Sequence, residues 1–125
     1  MGSVSRANTD RLELGRAGEK AAADLLKRRG SEVVGAGFRA RRGELDLICR
    51  RGAELVVVEV KTRTDEAFGT PVEAVGARKR RALMAAAAEY RVLSGWRGPI
   101  SYAIVGLMVR KDGAFDVELI EDPFN

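Results

Sequence analysis

The chain has 125 residues, 46% hydrophobic and 32% charged, the profile of one folded domain with a single core rather than of a disordered segment. It holds no histidine and one cysteine, Cys49, which excludes imidazole catalysis, His-ligated or multi-cysteine zinc, and an internal disulfide. Lys and Arg total 22 against 18 Asp and Glu, a formal charge of +4, a modest excess that suits a polyanion such as nucleic acid.

The opening MGSVSRANTD carries no apolar h-region of a secretory signal. It reads as a flexible tail over residues 1–10, ahead of a single domain over 11–125. No apolar run reaches the roughly 18 residues that a bilayer span needs, so the expected location is cytoplasmic. From Arg11 to Arg29 the pattern is helical, closed by Gly30 as a C-cap. Leu14, Ala17, Gly18, Ala21, Ala22 and Leu25 share one face, with Leu26 at its edge. Arg16, Lys20, Asp24 and Lys27 take the other side. Glu19 falls about 20° from Leu26, on the border of the apolar stripe.

SEVVGAGFRA predicts a short strand, bulged at its glycines. ELDLIC and ELVVVEVKT predict two stronger strands, joined through a two-residue type II′ turn at Gly52-Ala53. That turn pairs Arg51 with Glu54, which sets Asp46 opposite Glu59 and Glu44 opposite Lys61. Side chains alternate along a strand, so Glu44, Asp46, Glu59, Lys61 and Arg63 share one face. Leu45, Leu47, Val58 and Val60 share the other, and Cys49 packs in the core. A loop of odd length would part Asp46 from Glu59.

After the loop TRTDEAFGTP, a second helix runs to about Leu93. TPVE at 70–73 resembles a capping box with Pro at the first helical position. Gly76 argues instead for a turn and a start near Ala77, and the later start fits better. Leu83, Ala86, Ala87, Tyr90 and Leu93 form its apolar face. SGWRGP punctuates, and ISYAIVGLMV and AFDVELIE form a hairpin across Asp112-Gly113. Trp96, between Gly and Pro, is either a loop anchor or a base-stacking platform. The order α-β-β-β-α-β-β predicts an α/β fold, a mixed sheet flanked by helices.

Acidic and basic side chains within strands that otherwise read as interior are costly unless they are paired or hold a metal. Asp46 and Glu59 on adjacent strands suit a hard divalent cation, Mg²⁺ or Mn²⁺, with Glu59's neighbouring carbonyl as a third donor. Lys61, two residues on, is placed to orient or deprotonate a water, or to neutralise charge developing on a phosphate. Glu19 completes the acidic group from the helix. The rival reading is a structural ion-pair network of Asp46 and Glu59 with Lys61 or Arg63. Arg39, Arg41, Arg42 and Arg63 border these strands and suit the phosphates of a nucleic acid, or form a solvated basic rim. The run Arg78–Arg81 is either a second phosphate contact for a nucleic acid or an exposed cationic face, and within it Lys79 shares Leu83's face and either snorkels or points toward the site.

The segments GRAGEKAAADLLKRRG, RRGELDLI, VVVEVKTR, FGTPVEAV and RKRRAL resemble the YraN-like family of uncharacterised bacterial proteins, a match that runs from about Gly15 to Leu93. That family is similar to the Holliday-junction resolvase branch of the restriction-endonuclease-like fold, whose pattern is an upstream Glu, an Asp, and E-x-K. The resemblance implies a restriction-endonuclease-like mixed β-sheet flanked by helices. It matches Glu19 to the helix acid, Asp46 to the metal-binding Asp, and Glu59 and Lys61 to the E-x-K pair. It implies a Mg²⁺-dependent endonuclease on DNA, branched or otherwise structured, working as a homodimer. One departure stands out: Ser101 and Ala103 replace an Arg and an Asp of the family's Arg-Phe-Asp-Val-like stretch. The alternatives are a non-catalytic nucleic-acid-binding module on the same fold, and an adaptor for an acidic protein.

Overall fold

The computed structural model describes residues 6–64 and 70–124. Residues 1–5 of the expected tail and 65–69 of the expected loop, with Phe68 and Gly69 of FGTPVEAV, lie outside the described residues.

Helix α1 spans Arg6–Arg28, so it begins inside the expected tail. Once nucleated, a helix gains a hydrogen bond for each residue added, and RANTD has no Gly or Pro to stop it. Its other end closes as expected: Ser31 N–H donates to Leu26 O and Gly30 N–H to Lys27 O, with Gly30 at φ 90°, a Schellman cap.

Strands β1 (Glu32–Arg39), β2 (Glu44–Arg51) and β3 (Glu54–Arg63) follow, then a short α2 (Pro71–Ala74), α3 (Ala77–Ser94), β4 (Ile100–Val109) and β5 (Phe115–Glu121). The two readings of the second helix start are both realised. Thr70 Oγ1 accepts from Glu73 N–H and caps α2, while Gly76 caps a separate α3. The sheet order is β1-β2-β3-β4-β5. Neighbours pair antiparallel except β3 and β4, which run parallel across the α2–α3 crossover. This is the mixed α/β sheet with flanking helices that the element order predicted. β1 is bulged, its register with β2 shifting between Val33 and Gly35.

Helices cover both faces. Under α1 lie Leu47, Cys49, Val56, Val58, Ala103, Val105 and Leu107, and under α3 lie Leu45, Ile48, Leu55 and Val57. Cys49 is wholly buried, and burial pushes its thiol up to about 11. Ala103 belongs to this closed core, so a side chain at that position meets apolar neighbours rather than substrate.

Both helix faces differ in detail from the periodicity. On α1 the deepest line is Gly18, Ala22 and Leu26, while Ala17 is exposed. On α3, Leu83, Ala86 and Ala87 are buried but Leu93 is 69% exposed. The chain beyond α3 is held instead by Arg91, which donates to the Trp96 and Gly98 carbonyls. Trp96 is the loop anchor: its Nε1–H donates to Pro99 O, and the Arg50 guanidinium sits over its ring.

Gly18 sets the depth of α1. A Cβ there would run into Thr62 Oγ1 and lie 3.3 Å from Thr62 Cβ, so only glycine lets the helix sit this close to β3. Gly18→Ala gains helix propensity but must displace the helix or Thr62. We expect a net loss of about 1–2 kcal/mol in urea unfolding. Thr62→Ala in the same chain should recover most of it, because it removes the obstructing atoms.

Candidate active site

The β2–β3 register is the one the two-residue turn dictates, from Arg51 opposite Glu54 to Leu47 opposite Val58. Gly52 has φ 63°, the positive value a type II′ turn needs at its first central position and that glycine adopts without strain. The ladder ends at Leu47–Val58. β2 goes on to Glu44 alongside β1, and β3 goes on to Arg63 alongside β4. The sheet is therefore forked at the level of Asp46 and Glu59.

Asp46 fills the fork. Its Oδ2 accepts from Val60 N–H at 2.8 Å, so a side chain takes the amide that a continued ladder would have paired. The alternation expected for β2 fails here. Leu45 packs under α3 and Leu47 under α1, although two residues apart on a regular strand share a face. Asp46 thus lies at an irregular point of β2, tied to β3 by its carboxylate, and is half-buried.

Glu59 is 2% exposed. Its Oε1 lies 4.0 Å from Lys61 Nζ and 3.5 Å from Lys79 Nζ. Its Oε2 is buried and accepts no hydrogen bond. Burial is the main cause that pushes its carboxyl up, to about 7, and the Asp46 charge adds to it. The lysines pull the other way but are 31% and 44% exposed, so solvent weakens their attraction and burial prevails. Burial also raises Asp46, opposed by the Val60 N–H and by Lys79.

Glu19 reaches the group from α1. Burial raises its carboxyl, with the charges of Asp46 and Glu44 second and third, which places it within electrostatic range of the fork. Yet Glu19 is exposed, and among the described residues no three or more His, Cys, Asp or Glu side chains gather closely enough to hold a metal. The structure brings together Asp46, Glu59, Lys61 and Lys79, with Glu19 alongside and Glu44 exposed.

The arginines are less tightly gathered. Arg39, Arg41 and Arg42 are exposed where β1 turns into β2. Their loop is held against α3, where Gly43 abuts the Ala82 backbone and Arg41 N–H donates to Glu89 Oε2. Arg63 lies past Lys61 on β3 and lines a groove of about 460 Å³ with Thr70, Pro71, Gly106, Met108, Asp116 and Glu118. Of the sequence readings of Lys79, the fold realises the one that points it toward the site, setting it beside Glu59. The signal was its spacing of four from Leu83.

A divalent cation fits this donor set. Mg²⁺ is commonly held by one or two carboxylates, its remaining positions going to water and substrate phosphate. The unpartnered Glu59 Oε2 is a buried acceptor that a hard cation would satisfy.

The sequence profile described as uncharacterised protein family UPF0102 matches residues 18–120. A UPF0102 protein of Symbiobacterium thermophilum is 40% identical over 113 residues, covering 90% of this chain and 96% of its own length. A counterpart in Rhodococcus opacus is 38% identical over 114 residues, with 90% and 97% covered. Among solved structures, SfsA of Pyrococcus furiosus in complex with Ca²⁺ matches with a TM-score of 0.45 at 13% identity, over 86% of this chain. This chain spans only 63% of that protein. No helix among the described residues is long and apolar enough to cross a membrane.

Proposed function

The chain belongs to the uncharacterised protein family UPF0102, and we propose that it is a Mg²⁺- or Mn²⁺-dependent endonuclease that hydrolyses phosphodiesters of branched or otherwise structured DNA. The observation that carries this reading is Glu59, a buried carboxylate with one oxygen unpartnered, beside Asp46 in a forked sheet and next to Lys61.

In this reading Asp46 and Glu59 hold the cation, and the Val60 N–H fixes the angle of Asp46. A bound Mg²⁺ supplies an activated water and neutralises charge on the phosphate. Lys61 presents its ammonium to the attacking water and to the developing charge. Glu19 acts from outside the coordinating pair, by charge. Arg39, Arg41, Arg42 and Arg63 hold the phosphates that flank the cut. A symmetric junction calls for two cuts, hence a homodimer, and the setting is the cytoplasm.

One observation favours a second reading, a non-catalytic nucleic-acid-binding module. Glu59 already has two lysines for counterions. The readings separate in one experiment. Purified protein is titrated with Mn²⁺ by calorimetry and incubated with four-way junction, flap and linear DNA, with and without Mg²⁺. The nuclease reading expects a binding heat that Asp46→Ala abolishes, and cleavage only with metal. DNA binding without Mn²⁺ heat or cleavage establishes the binding module.

A further inference from the structure

We propose that Lys79 is a second substrate-positioning cation: it neutralises Glu59 in the free protein and turns to a substrate phosphate when a divalent cation takes the carboxylates. The inference rests on the nuclease reading and gives Lys79 two successive partners in it.

Lys79 Nζ is closer to Glu59 Oε1 than Lys61 Nζ is, 3.5 Å against 4.0 Å, although it comes from α3 and not from the neighbouring strand position. Two ammonium groups crowd one oxygen while the other is buried without a partner. Lys79 is also free to leave. Its side chain is 44% exposed, and a compact charge on a flexible four-carbon stem can swing toward solvent without losing core contacts.

Its place on the helix points the same way. α3 opens with Arg78, Lys79, Arg80 and Arg81, has no acid in its first turn, and has a glycine N-cap without a side-chain hydrogen bond. Cations at this end oppose the helix dipole, and an anion from outside would relieve that. Arg80 is diverted, its guanidinium lying over the Phe124 ring. Lys79, the residue already at the carboxylate, is therefore the one positioned to carry a phosphate into the site. A divalent cation on Glu59 would repel the ammonium from its present position and leave it to that phosphate.

The test compares wild type, Lys79→Gln and Lys79→Arg, each checked for folding by circular dichroism. Removing the competing charge should tighten Mn²⁺ binding of Lys79→Gln about fivefold in calorimetry, the scale of one charge at ion-pair distance in water. For four-way junction DNA in Ca²⁺ buffer, the slope of log affinity against log KCl should become shallower by about 0.9, one phosphate contact, in Lys79→Gln. Lys79→Arg should restore it. Unchanged or weaker Mn²⁺ binding, or an unchanged salt slope, in folded Lys79→Gln overturns the proposal and leaves Lys79 a structural partner of Glu59. If wild type itself takes up no Mn²⁺, the nuclease reading falls and this inference with it.

Discussion

Lys61→Ala is expected to reduce metal-dependent cleavage of junction DNA by a factor on the order of 10²–10³ while Mn²⁺ binding persists, the loss typical of removing one charge-stabilising donor. In the proposed nuclease Lys61 is not a ligand, so a cation held by Asp46 and Glu59 should remain. Its ammonium lies 4.0 Å from Glu59 Oε1 with the side chain about a third exposed, within reach of a phosphate that such a cation would bind. A group that acts on charge appearing only in the transition state lowers kcat and leaves KM nearly unchanged. Lys61→Arg keeps the charge but replaces a compact ammonium with a wider planar fork, so it should recover only part of the rate. Single-turnover cleavage measures both. A Lys61→Ala rate equal to wild type would reduce the residue to a counterion.

The second large effect concerns stability and pH. Glu59 has its carboxyl raised from 4.5 to about 7, chiefly by burial. Between these values the folded state keeps a proton that the unfolded chain has released. Stability contributed by that proton is therefore full below pH 4.5 and is lost as pH rises through 7. The difference amounts to a few kcal/mol. Glu59→Gln, which cannot ionise, should unfold at nearly the same urea concentration as wild type at pH 5 and at a distinctly higher one at pH 8. Mn²⁺ should reverse the trend for wild type only, since a cation favours the ionised carboxylate. Equal pH slopes for the two proteins would mean that Glu59 is better solvated than its burial implies.

Much of this site was legible in the sequence because it depends on parity. Gly52-Ala53 makes a two-residue turn, and a turn of that length sets the β2–β3 register from Arg51–Glu54 to Leu47–Val58, though the pairs expected beyond it, Asp46–Glu59 and Glu44–Lys61, are not formed. Glu59 and Lys61, two apart on one strand, were bound to share a face. Glu19 fell on the border of its stripe, and it stands at the border of the site. What was hidden depends on tertiary approach. Ending the β2–β3 ladder at Leu47–Val58, and Leu45 crossing to the α3 side, follow from how two halves of the sheet meet, which no local period encodes. The line of α1 burial was displaced toward Leu26 because Gly18 allows a close approach to Thr62, a contact between residues 44 apart in sequence. Leu93 fits the α3 period yet is exposed, because periodicity marks a face but not where the helix's contact with the sheet ends.

β3 is the middle strand, with β2 and β1 on one side, β4 and β5 on the other, and a helix over each face. Glu59 therefore shares its backbone with Val57 and Val58, both wholly buried. A substitution at Glu59 is thus also a substitution in the middle of the core, whereas one at the exposed Arg39, Arg41 or Arg42 of the β1–β2 corner leaves the packing as it is.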